Sequence, residues 1–200
     1  MHIKTSSKNI GIIILAAGAS SRLGRPKQLL QFGDTTLLQH TVDVVKAIKV
    51  DQAMIVTGAY HDNIIEETNI GDLFIEHNES WHEGMTSSIV CGLEGILKIA
   101  PDTDAVLILM CDQPFLSAEI LNEMIKTYHH SSKEIVQCQY GEDSGPPVLF
   151  DKSLFASIGT LKDKNGARSI IKNNPDKVAH VSFPDGRIDI DTEDDYKMLL

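Results

Sequence analysis

The sequence has few cysteines and lacks both a long hydrophobic run and an apolar leader. Its three cysteines form no C-x-x-C pair that would point to a zinc or redox site. The longest apolar run, residues 12–17, is far shorter than the roughly 20 residues of a membrane-spanning helix. Residues 1–9 are polar and lack the apolar segment of a signal peptide. We therefore expect a cytoplasmic protein with reduced thiols and no membrane partner.

Positive charge is also scarce. The chain has 18 Lys and Arg against 28 Asp and Glu, which gives a net charge of −10. An acidic protein repels a polyanion, so we expect no nucleic-acid partner, although a local cluster of cations can still hold a small phosphate ligand. The length of 200 residues and the apolar fraction of 42% are ordinary for a globular protein, and we expect residues 1–200 to form a single domain.

Short apolar runs alternate with amphipathic stretches along the chain. Predicted strands cover residues 10–15, 53–57, 73–76, 105–110, 135–139, 148–150 and 178–183, and predicted helices cover residues 36–50, 61–67, 87–99, 117–128, 166–173 and 192–200. This alternation predicts an α/β fold of three layers, with a mostly parallel, Rossmann-like sheet between helices. Ligands bind such sheets at the carboxyl ends of strands, so the loops after Leu15, Thr57 and Cys111 are candidate binding loops.

The loop after the first predicted strand is the most informative segment. Small residues there let a ligand approach the backbone, and successive N–H groups can bind an anion. The loop adds the polar donors Ser20, Ser21, Arg22, Arg25 and Lys27. It matches neither the phosphate-binding pattern GxxxxGK[ST] nor the dinucleotide pattern GxGxxG. The sequence therefore favours a triphosphate site, and a solvated basic turn is the alternative.

Carboxylates follow two later elements. Asp112 ends the strand over residues 105–110, where it could hold Mg²⁺, a cation that takes few protein carboxylates and completes its shell with water and substrate phosphates. The alternation over residues 188–191 predicts a strand with Asp189 and Asp191 on one face, where either could supply a second carboxylate. The structural alternatives are an Asx turn at Asp112 and a helix cap at Asp191 or Thr192.

Two further loops are candidate walls of a binding site. The polar segment 78–88 leads into a predicted helix, and its hydroxyl and N–H groups, including those of Ser87 and Ser88, could contact a base or ribose. For Trp81 in that segment, the simpler interpretation is that it packs the loop against the rest of the protein and does not contact a ligand. Residues 141–147 predict a loop in which Gly145-Pro146-Pro147 forms a rigid turn.

Taken in order, these motifs resemble the signature of the MobA-like nucleotidyltransferases, and most of all its molybdenum cofactor cytidylyltransferase branch. The matching segments are Leu15-Ala16-Ala17-Gly18-x-Ser20-x-Arg22-x-Gly24-x-x-Lys27, Asn78…Trp81…Gly84-Met85…Ser87, Asp112-x-Pro114, Gly145-x-Pro147 and Asp189-Ile190-Asp191-Thr192. The resemblance spans about residues 10–198. It departs from the branch at Asp163, which is displaced by one place from the motif Gly-Asp-x-Gly-Ala-Arg, and at Glu193, which replaces a proline.

The resemblance implies a fold of the nucleotide-diphospho-sugar transferase type and a specific reaction. CMP would pass from CTP to the phosphate of molybdopterin cofactor, with release of pyrophosphate and with Mg²⁺ as the metal. The implied catalytic residues are Lys27, Arg22 and Asp112, with Asp112 and either Asp189 or Asp191 as metal ligands. The implied nucleotide-binding residues are Leu15, Ala16, Ala17, Gly18, Ser20, Gly58, Ser87 and Ser88.

The resemblance also bears on the nucleotide and the acceptor. Cytidylyl members of the family carry Ala at the position of Ala17, and a methyl group there would narrow the slot beside the base. Two alternatives stay open. One is a related transferase that acts on another phosphate or sugar phosphate. The other is a non-catalytic maturation factor that delivers cofactor to a molybdoenzyme, and the retained Lys27, Arg22 and Asp112 argue against it.

Overall fold

The computed structural model describes residues 8–161 and 166–199, which leaves Asp163 outside the described residues. The strands are β1 (Ile10–Ala16), β2 (Gln31–Phe32), β3 (Thr35–Thr36), β4 (Gln52–Thr57), β5 (Phe74–His77), β6 (Ala105–Met110), β7 (Ile135–Tyr140), β8 (Asp143–Asp151) and β9 (Val178–Ser182). The α-helices are α1 (Leu37–Lys46), α2 (His61–Glu67), α3 (Met85–Ile99), α4 (Ala118–His130), α5 (Phe155–Gly159), α6 (Arg168–Asn173) and α7 (Glu193–Leu199). Within these residues no helix combines the length and apolarity needed to cross a membrane.

A seven-stranded sheet forms the middle layer, in the order β5-β4-β1-β6-β8-β7-β9. β1 runs parallel to both of its neighbours, β4 and β6, and only β8 runs antiparallel to the strands beside it. The predicted three-layer α/β fold with a mostly parallel sheet is confirmed. Because β1, β4 and β6 are parallel neighbours, the loops after Ala16, Thr57 and Met110 leave the sheet at one edge.

Helices cover both faces of the sheet. The side chains of α1, α2 and α4 pack with Ile12 and Ile14 of β1 on one face, and those of α3, α5 and α6 pack with Ile13 on the other. All seven residues of β1 are buried, as expected of a central strand that is covered on both faces. α3 lies close to the sheet because Gly92 faces β1, where an added Cβ would be 2.5 Å from Ile13 Cγ2.

Two sequence-based assignments are wrong. Residues 143–147, predicted as loop and rigid turn, belong to β8, which pairs with β7 through a bulge between Gln137 and Cys138. Residues 188–191, predicted as a strand, follow a 3-10 turn (Pro184–Arg187) and pair with no strand among the described residues. This segment instead wraps the end of β6, where the N–H of Ile190 donates to the carbonyl of Asp112 at 3.2 Å.

Candidate active site

Lys27 and Asp112 lie at the centre of the candidate site, where the loop after β1 meets the end of β6. The ammonium of Lys27 donates to Asp112 at 2.5 Å and to Asp191 at 3.1 Å. The side chains of Lys27 and Asp112 are 16% and 6% exposed, so the pair is largely shielded from water. Shielding strengthens the interaction of these charges with one another and with any ligand that binds beside them.

The charges of this cluster fix the protonation of Lys27 and Cys111. Burial lowers the pKa of Lys27, but the charge of Asp112 and its hydrogen bond outweigh burial and hold that pKa above its ordinary value. Lys27 is therefore a permanent cation at neutral pH. Burial, followed by the charge of Asp112, raises the pKa of the Cys111 thiol to about 12. Cys111 thus stays protonated and cannot act as a thiolate nucleophile.

Asp189 and Asp191 differ in the charges that face them. Asp191 also accepts a hydrogen bond from Arg22 at 2.6 Å. Burial opposes ionisation of Asp191, but the charges of Lys27 and Arg22 outweigh it and lower the pKa. Burial, followed by the negative charges of Asp112 and Asp191, raises the pKa of Asp189. Three carboxylates thus face two cations, and a divalent cation would relieve this excess of negative charge.

The donor set fits a magnesium-type ion rather than a preformed metal cage. Among residues 8–161 and 166–199, no three His, Cys, Asp or Glu side chains converge as a ready-made metal site. Mg²⁺ needs only one or two protein carboxylates, because water and substrate phosphates complete its octahedron. Asp112 together with Asp189 or Asp191 satisfies that need, so the choice between the two stays a prediction.

The loop between β1 and Lys27 presents free backbone donors. Ser20 has φ of +50°, a left-handed conformation of the kind that turns successive N–H groups toward one concavity. The carbonyl of Ser20 accepts from the N–H groups of Leu23 and Gly24 at 3.0 Å, and its hydroxyl accepts from the N–H of Lys27 at 3.1 Å. Within the described residues, the N–H groups of 18–21 donate no hydrogen bond, so they are available to a bound phosphate.

Gln28 fixes the start of this loop. It is 1% exposed, and its amide nitrogen donates to the carbonyls of Ala16 and Gly18, each at 2.8 Å. These two bonds hold the carbonyls of Ala16 and Gly18 pointing toward the amide of Gln28. Gln28 could not be identified from the sequence, because nothing in the pattern around Lys27 distinguishes a buried amide from an exposed one.

Of the three loop cations, Arg25 ties the loop to the last helix. Its guanidinium donates to the carboxylate of Glu193 at 2.9 and 3.0 Å and lies 5.2 Å from the centre of the Tyr196 ring. α7 itself begins after Thr192, whose hydroxyl accepts from the N–H of Asp195 at 3.2 Å, which confirms the predicted helix cap. Lys27 and Arg22 are the two loop cations that face the aspartates.

A cavity of about 300 Å³ lies beside the loop. It is lined by the predicted nucleotide-binding residues Leu15, Ala16, Ala17, Gly18 and Ser88, together with Lys27, Gln28 and Trp81. Its volume is at the lower end of the range for small-molecule pockets, about 300–1,000 Å³. The arrangement brings a cation, free N–H groups and an apolar wall to one place, as a nucleoside triphosphate requires.

Gly58 and Ser87, the other predicted nucleotide contacts outside the loop, brace the walls of this cavity. A Cβ on Gly58 would lie 2.6 Å from the carbonyl oxygen of Ala17, so glycine allows the chain after β4 to touch the loop after β1. The amide of Asn78 donates to the hydroxyls of Ser87 at 2.8 Å and Ser88 at 3.0 Å. Asn78 thus holds the start of α3 against the chain after β5.

A second cavity, of about 470 Å³, adjoins Asp112. Its charged lining residues are Asp112, Asp143, Arg168, Arg187 and Asp189. The amide nitrogen of the buried Gln113 donates to the carbonyls of Gly186 at 2.7 Å and Pro146 at 3.0 Å, which joins the walls contributed by β8 and by residues 184–187. Arg168 and Arg187 are the cations of this cavity, and they could pair with the phosphate of a second reactant.

Comparison with known proteins places these features in a family. The family described as "MobA-like NTP transferase domain" matches residues 12–179 of the chain. The crystal structure of Rv0371c from Mycobacterium tuberculosis superposes with a TM-score of 0.84 at 27% identity, over 98% of this chain and 99% of that one. The same protein has been solved in complex with manganese, and that structure has a TM-score of 0.81 at 25% identity, over 96% of this chain and 98% of that one.

Curated relatives differ in the reactants that their names give. A bifunctional protein GlmU from Francisella philomiragia is 30% identical over 60% of this chain and 26% of that protein. A ribitol-5-phosphate cytidylyltransferase from Streptococcus agalactiae is 27% identical over 67% of this chain and 58% of that protein. A probable molybdenum cofactor guanylyltransferase from Bacillus mycoides is 27% identical over 57% of this chain and 54% of that protein. The chain thus spans between about a quarter and somewhat more than half of the length of these relatives. Because their names differ in nucleotide and acceptor, they do not determine either for this chain.

Proposed function

The chain belongs to the MobA-like NTP transferase family and is a nucleotidyltransferase, and from this premise we propose that it transfers CMP from CTP to the phosphate of molybdopterin cofactor, with release of pyrophosphate. One observation carries the proposal. The half-buried cation Lys27 is held between the carboxylates Asp112 and Asp191, at the point where the loop after β1 meets the charged cavity beside Asp112.

The proposed reaction needs alignment and charge neutralisation but no covalent intermediate. An oxygen of the acceptor phosphate, already ionised at pH 7, attacks the α-phosphorus of the nucleotide. The bond from that phosphorus to the bridging oxygen breaks, and its electron pair leaves with pyrophosphate. Lys27 and Arg22 stabilise the charge that grows on the departing group, and the N–H groups of residues 18–21 hold the phosphates in line.

A divalent metal fits the same cluster. Asp112 with Asp189 or Asp191 would hold it, and it would supply further neutralisation of phosphate charge. Rv0371c, which is similar to this chain along nearly its whole length, has been solved in complex with manganese. We propose Mg²⁺ as the physiological ion, with Mn²⁺ as a substitute in the assay.

CTP is the proposed nucleotide because of Ala17. This residue lines the cavity of about 300 Å³, a space that suits a one-ring base better than a two-ring base. The family resemblance, in which cytidylyl members carry alanine at this position, points the same way. The name of the Streptococcus agalactiae relative, a cytidylyltransferase for ribitol 5-phosphate, supports a second candidate in which the acceptor is a polyol or sugar phosphate.

Two measurements test the proposed function. Thermal shift with each nucleoside triphosphate and Mg²⁺ identifies the nucleotide, because a ligand at 100 times its Kd adds about 2.7 kcal/mol and raises Tm by roughly 5–10 °C. Pyrophosphate release is then measured with CTP and either molybdopterin cofactor or ribitol 5-phosphate. Release with molybdopterin cofactor supports the proposal, and release with ribitol 5-phosphate alone selects the second candidate. Nucleotide binding without pyrophosphate release from any acceptor favours the carrier alternative.

A further inference from the structure

Met85 is an exposed methionine at the edge of the sheet that carries the candidate site. It is the first residue of α3, and Gly84 before it has φ of +108°, a conformation that favours glycine. Helix side chains tilt toward the N-terminus, so the side chain of Met85 extends past the start of α3. Because this side chain is 50% exposed, its thioether is accessible to small molecules.

Three cavities share Met85 as a lining residue. They are the nucleotide cavity of about 300 Å³ beside the loop after β1, the charged cavity of about 470 Å³ beside Asp112, and an apolar cavity of about 370 Å³ between the sheet, α3 and α6. Among the described residues, Met110 also lines all three, but it is partly buried. A ligand in the nucleotide cavity or in the charged cavity therefore lies beside the more accessible thioether, that of Met85.

The sulfur of Met85 faces the chain that leads into α6. A Cβ on Gly166 would lie 3.8 Å from this sulfur and 3.6 Å from Cδ1 of Ile89. Gly166 lies two residues before Arg168, a cation that lines both the apolar cavity and the charged cavity. The sulfur therefore has apolar surroundings on one side and a charged cavity on the other, and a polar atom added to it changes the contacts of both.

Oxidation by a hydroperoxide is the covalent change to which an accessible thioether is open. With hydrogen peroxide, a lone pair of the sulfur attacks one peroxide oxygen, an S–O bond forms and the O–O bond breaks. The hydroxide that leaves takes the proton of the new S–OH group and departs as water, so the sulfur loses two electrons and the peroxide gains them. The product, methionine sulfoxide, is polar and chiral, whereas methionine is apolar and flexible.

A sulfoxide oxygen on Met85 would oppose ligand binding in each direction that it can take. In the apolar cavity it is a buried acceptor among apolar side chains, which costs free energy. Toward the phosphates of a nucleotide its partial negative charge is repelled. A hydrogen bond with Arg168 occupies a cation that faces the charged cavity.

We infer that Met85 is a modification site, at which oxidation of the thioether by a hydroperoxide lowers the affinity of the protein for a nucleoside triphosphate. The inference rests on the proposed function in one respect, because it takes the cavity beside the loop after β1 to be the nucleotide site. It does not depend on the identity of the acceptor. Met198 of α7 is 81% exposed and lines none of the three cavities, so its oxidation should not affect nucleotide binding.

The test compares wild type, Met85→Leu and the matched control Met198→Leu before and after treatment with hydrogen peroxide. Dithiothreitol then reverses the sulfenic acids and disulfides of cysteine but not a sulfoxide. Peptide mass spectrometry locates the sulfoxides, and titration with CTP and with GTP, each with Mg²⁺, gives the affinities. We expect Met85 and Met198 to be oxidised before the buried Met54 and Met124. Treatment should weaken nucleotide binding about tenfold or more in wild type and Met198→Leu, and should not change it in Met85→Leu, which has no sulfur at this position.

A second readout needs no variant. Nucleotide bound with Mg²⁺ should slow the oxidation of Met85 and leave that of Met198 unchanged, because Met85 lines the nucleotide cavity and Met198 does not. Equal rates of Met85 oxidation with and without bound nucleotide would show that Met85 is not a nucleotide contact, and would overturn the inference.

Three further results overturn the inference. They are oxidised Met85 with unchanged nucleotide affinity, a Met85→Leu variant that loses affinity on treatment as wild type does, and Met85 that stays reduced while Met198 is oxidised. Binding of GTP in place of CTP refutes the proposed nucleotide alone, since the same comparison then holds for GTP. Nucleotide binding without pyrophosphate release refutes the proposed transfer and not the modification site, whereas wild type that binds neither nucleotide overturns both.

Discussion

The ammonium of Lys27 donates to the carboxylate of Asp112 at 2.5 Å, across 85 positions of the sequence. This bond joins the loop after β1 to the end of β6, and it links the residue proposed to bind the phosphates to the residue proposed to bind the metal. Loss of Lys27 leaves Asp112 as a largely buried charge without this cation, whereas loss of Asp112 leaves Lys27 paired with Asp191. Variants at the two positions must therefore be compared for stability as well as for activity.

Lys27→Ala should lower kcat by about 10²–10³-fold, because it removes a positive charge aimed at the reacting phosphates. It should also lower Tm, since Asp112 loses its main partner. Arg25→Ala is the matched control, because Arg25 belongs to the same loop but pairs with Glu193. Steady-state pyrophosphate release and thermal unfolding of both variants check this. If the activity of Lys27→Ala stays within threefold of wild type, Lys27 does not act on the reacting phosphates, and the loop is a solvated basic turn.

Asp112→Asn should abolish most of the metal-dependent activity, because the amide keeps the shape but loses the charge that a hard divalent cation requires. The expected signature is a much higher Mg²⁺ concentration for half-maximal rate. Asp194→Asn, on the exposed surface of α7, is the control and should behave as wild type. An Asp112→Asn variant with an unchanged metal requirement would show that the metal, if one binds, is held elsewhere.

Asp189→Asn and Asp191→Asn should shift stability in opposite directions at pH 7. The pKa of Asp189 is raised from 3.8, so its stabilising contribution is present below that value and is lost as pH rises through the folded-state pKa. Removing its charge should therefore raise Tm at pH 7. The pKa of Asp191 is lowered from 3.8, so its contribution is present above that value and is lost as pH falls through the folded-state pKa. Asp191→Asn should therefore lower Tm at pH 7.

Thermal unfolding between about pH 2 and pH 7, without metal, checks this pair. Both differences from wild type should shrink toward the acidic end, where the carboxylates are protonated. Mg²⁺ should stabilise wild type more at pH 7 than at pH 4, because a bound cation favours the ionised carboxylates. If the two variants shift Tm in the same direction at pH 7, the opposite pKa shifts assigned to Asp189 and Asp191 are incorrect.

The central strands could be predicted from the sequence because their pattern reflects burial alone. β1, β4 and β6 are continuous apolar runs, and such runs are typical of strands covered on both faces. β8 was only partly predicted because Gly145-Pro146-Pro147 has the composition of a turn. In the structure these residues extend β8 beside the bulge after Gln137, and the prolines, which have no N–H to donate, are tolerated there.

The candidate site was predictable in its residue types but not in its pairings. A loop of small residues with cations, and aspartates after buried runs, have chemical signatures that do not depend on the rest of the fold. Which cation meets which carboxylate depends on tertiary packing. Arg25 pairs with Glu193 and not with the aspartates, while the apparent strand alternation of residues 188–191 arises from a segment anchored by the buried Ile190.

Gln28→Ala should destabilise the protein by about 2–3 kcal/mol, because the carbonyls of Ala16, which is buried, and of Gly18 lose their donor. For a chain of this length that corresponds to a fall in Tm of roughly 4–12 °C. Gln28 is a positioning residue, so KM for CTP should rise more than kcat falls. Gln31→Ala is the control, because the side chain of Gln31 donates to the carbonyl of Gly33 on the surface. Loss of stability with an unchanged KM would limit Gln28 to a structural role.

Ala17→Gly should reduce the preference for CTP over GTP without reversing it. Ala17 lines the nucleotide cavity, and a Cβ on Gly58 would lie 2.9 Å from the Cβ of Ala17, so the chain after β4 packs against this methyl group. A difference of one methyl group is worth on the order of 1–3 kcal/mol, or about 10–200-fold, so other contacts must supply the rest of the discrimination. The measurement is the ratio of kcat/KM for the two nucleotides in wild type, Ala17→Gly and the control Ala19→Gly, which removes a methyl from the same cavity. Wild-type protein that prefers GTP, or an Ala17→Gly ratio equal to that of wild type, would remove Ala17 from base selection.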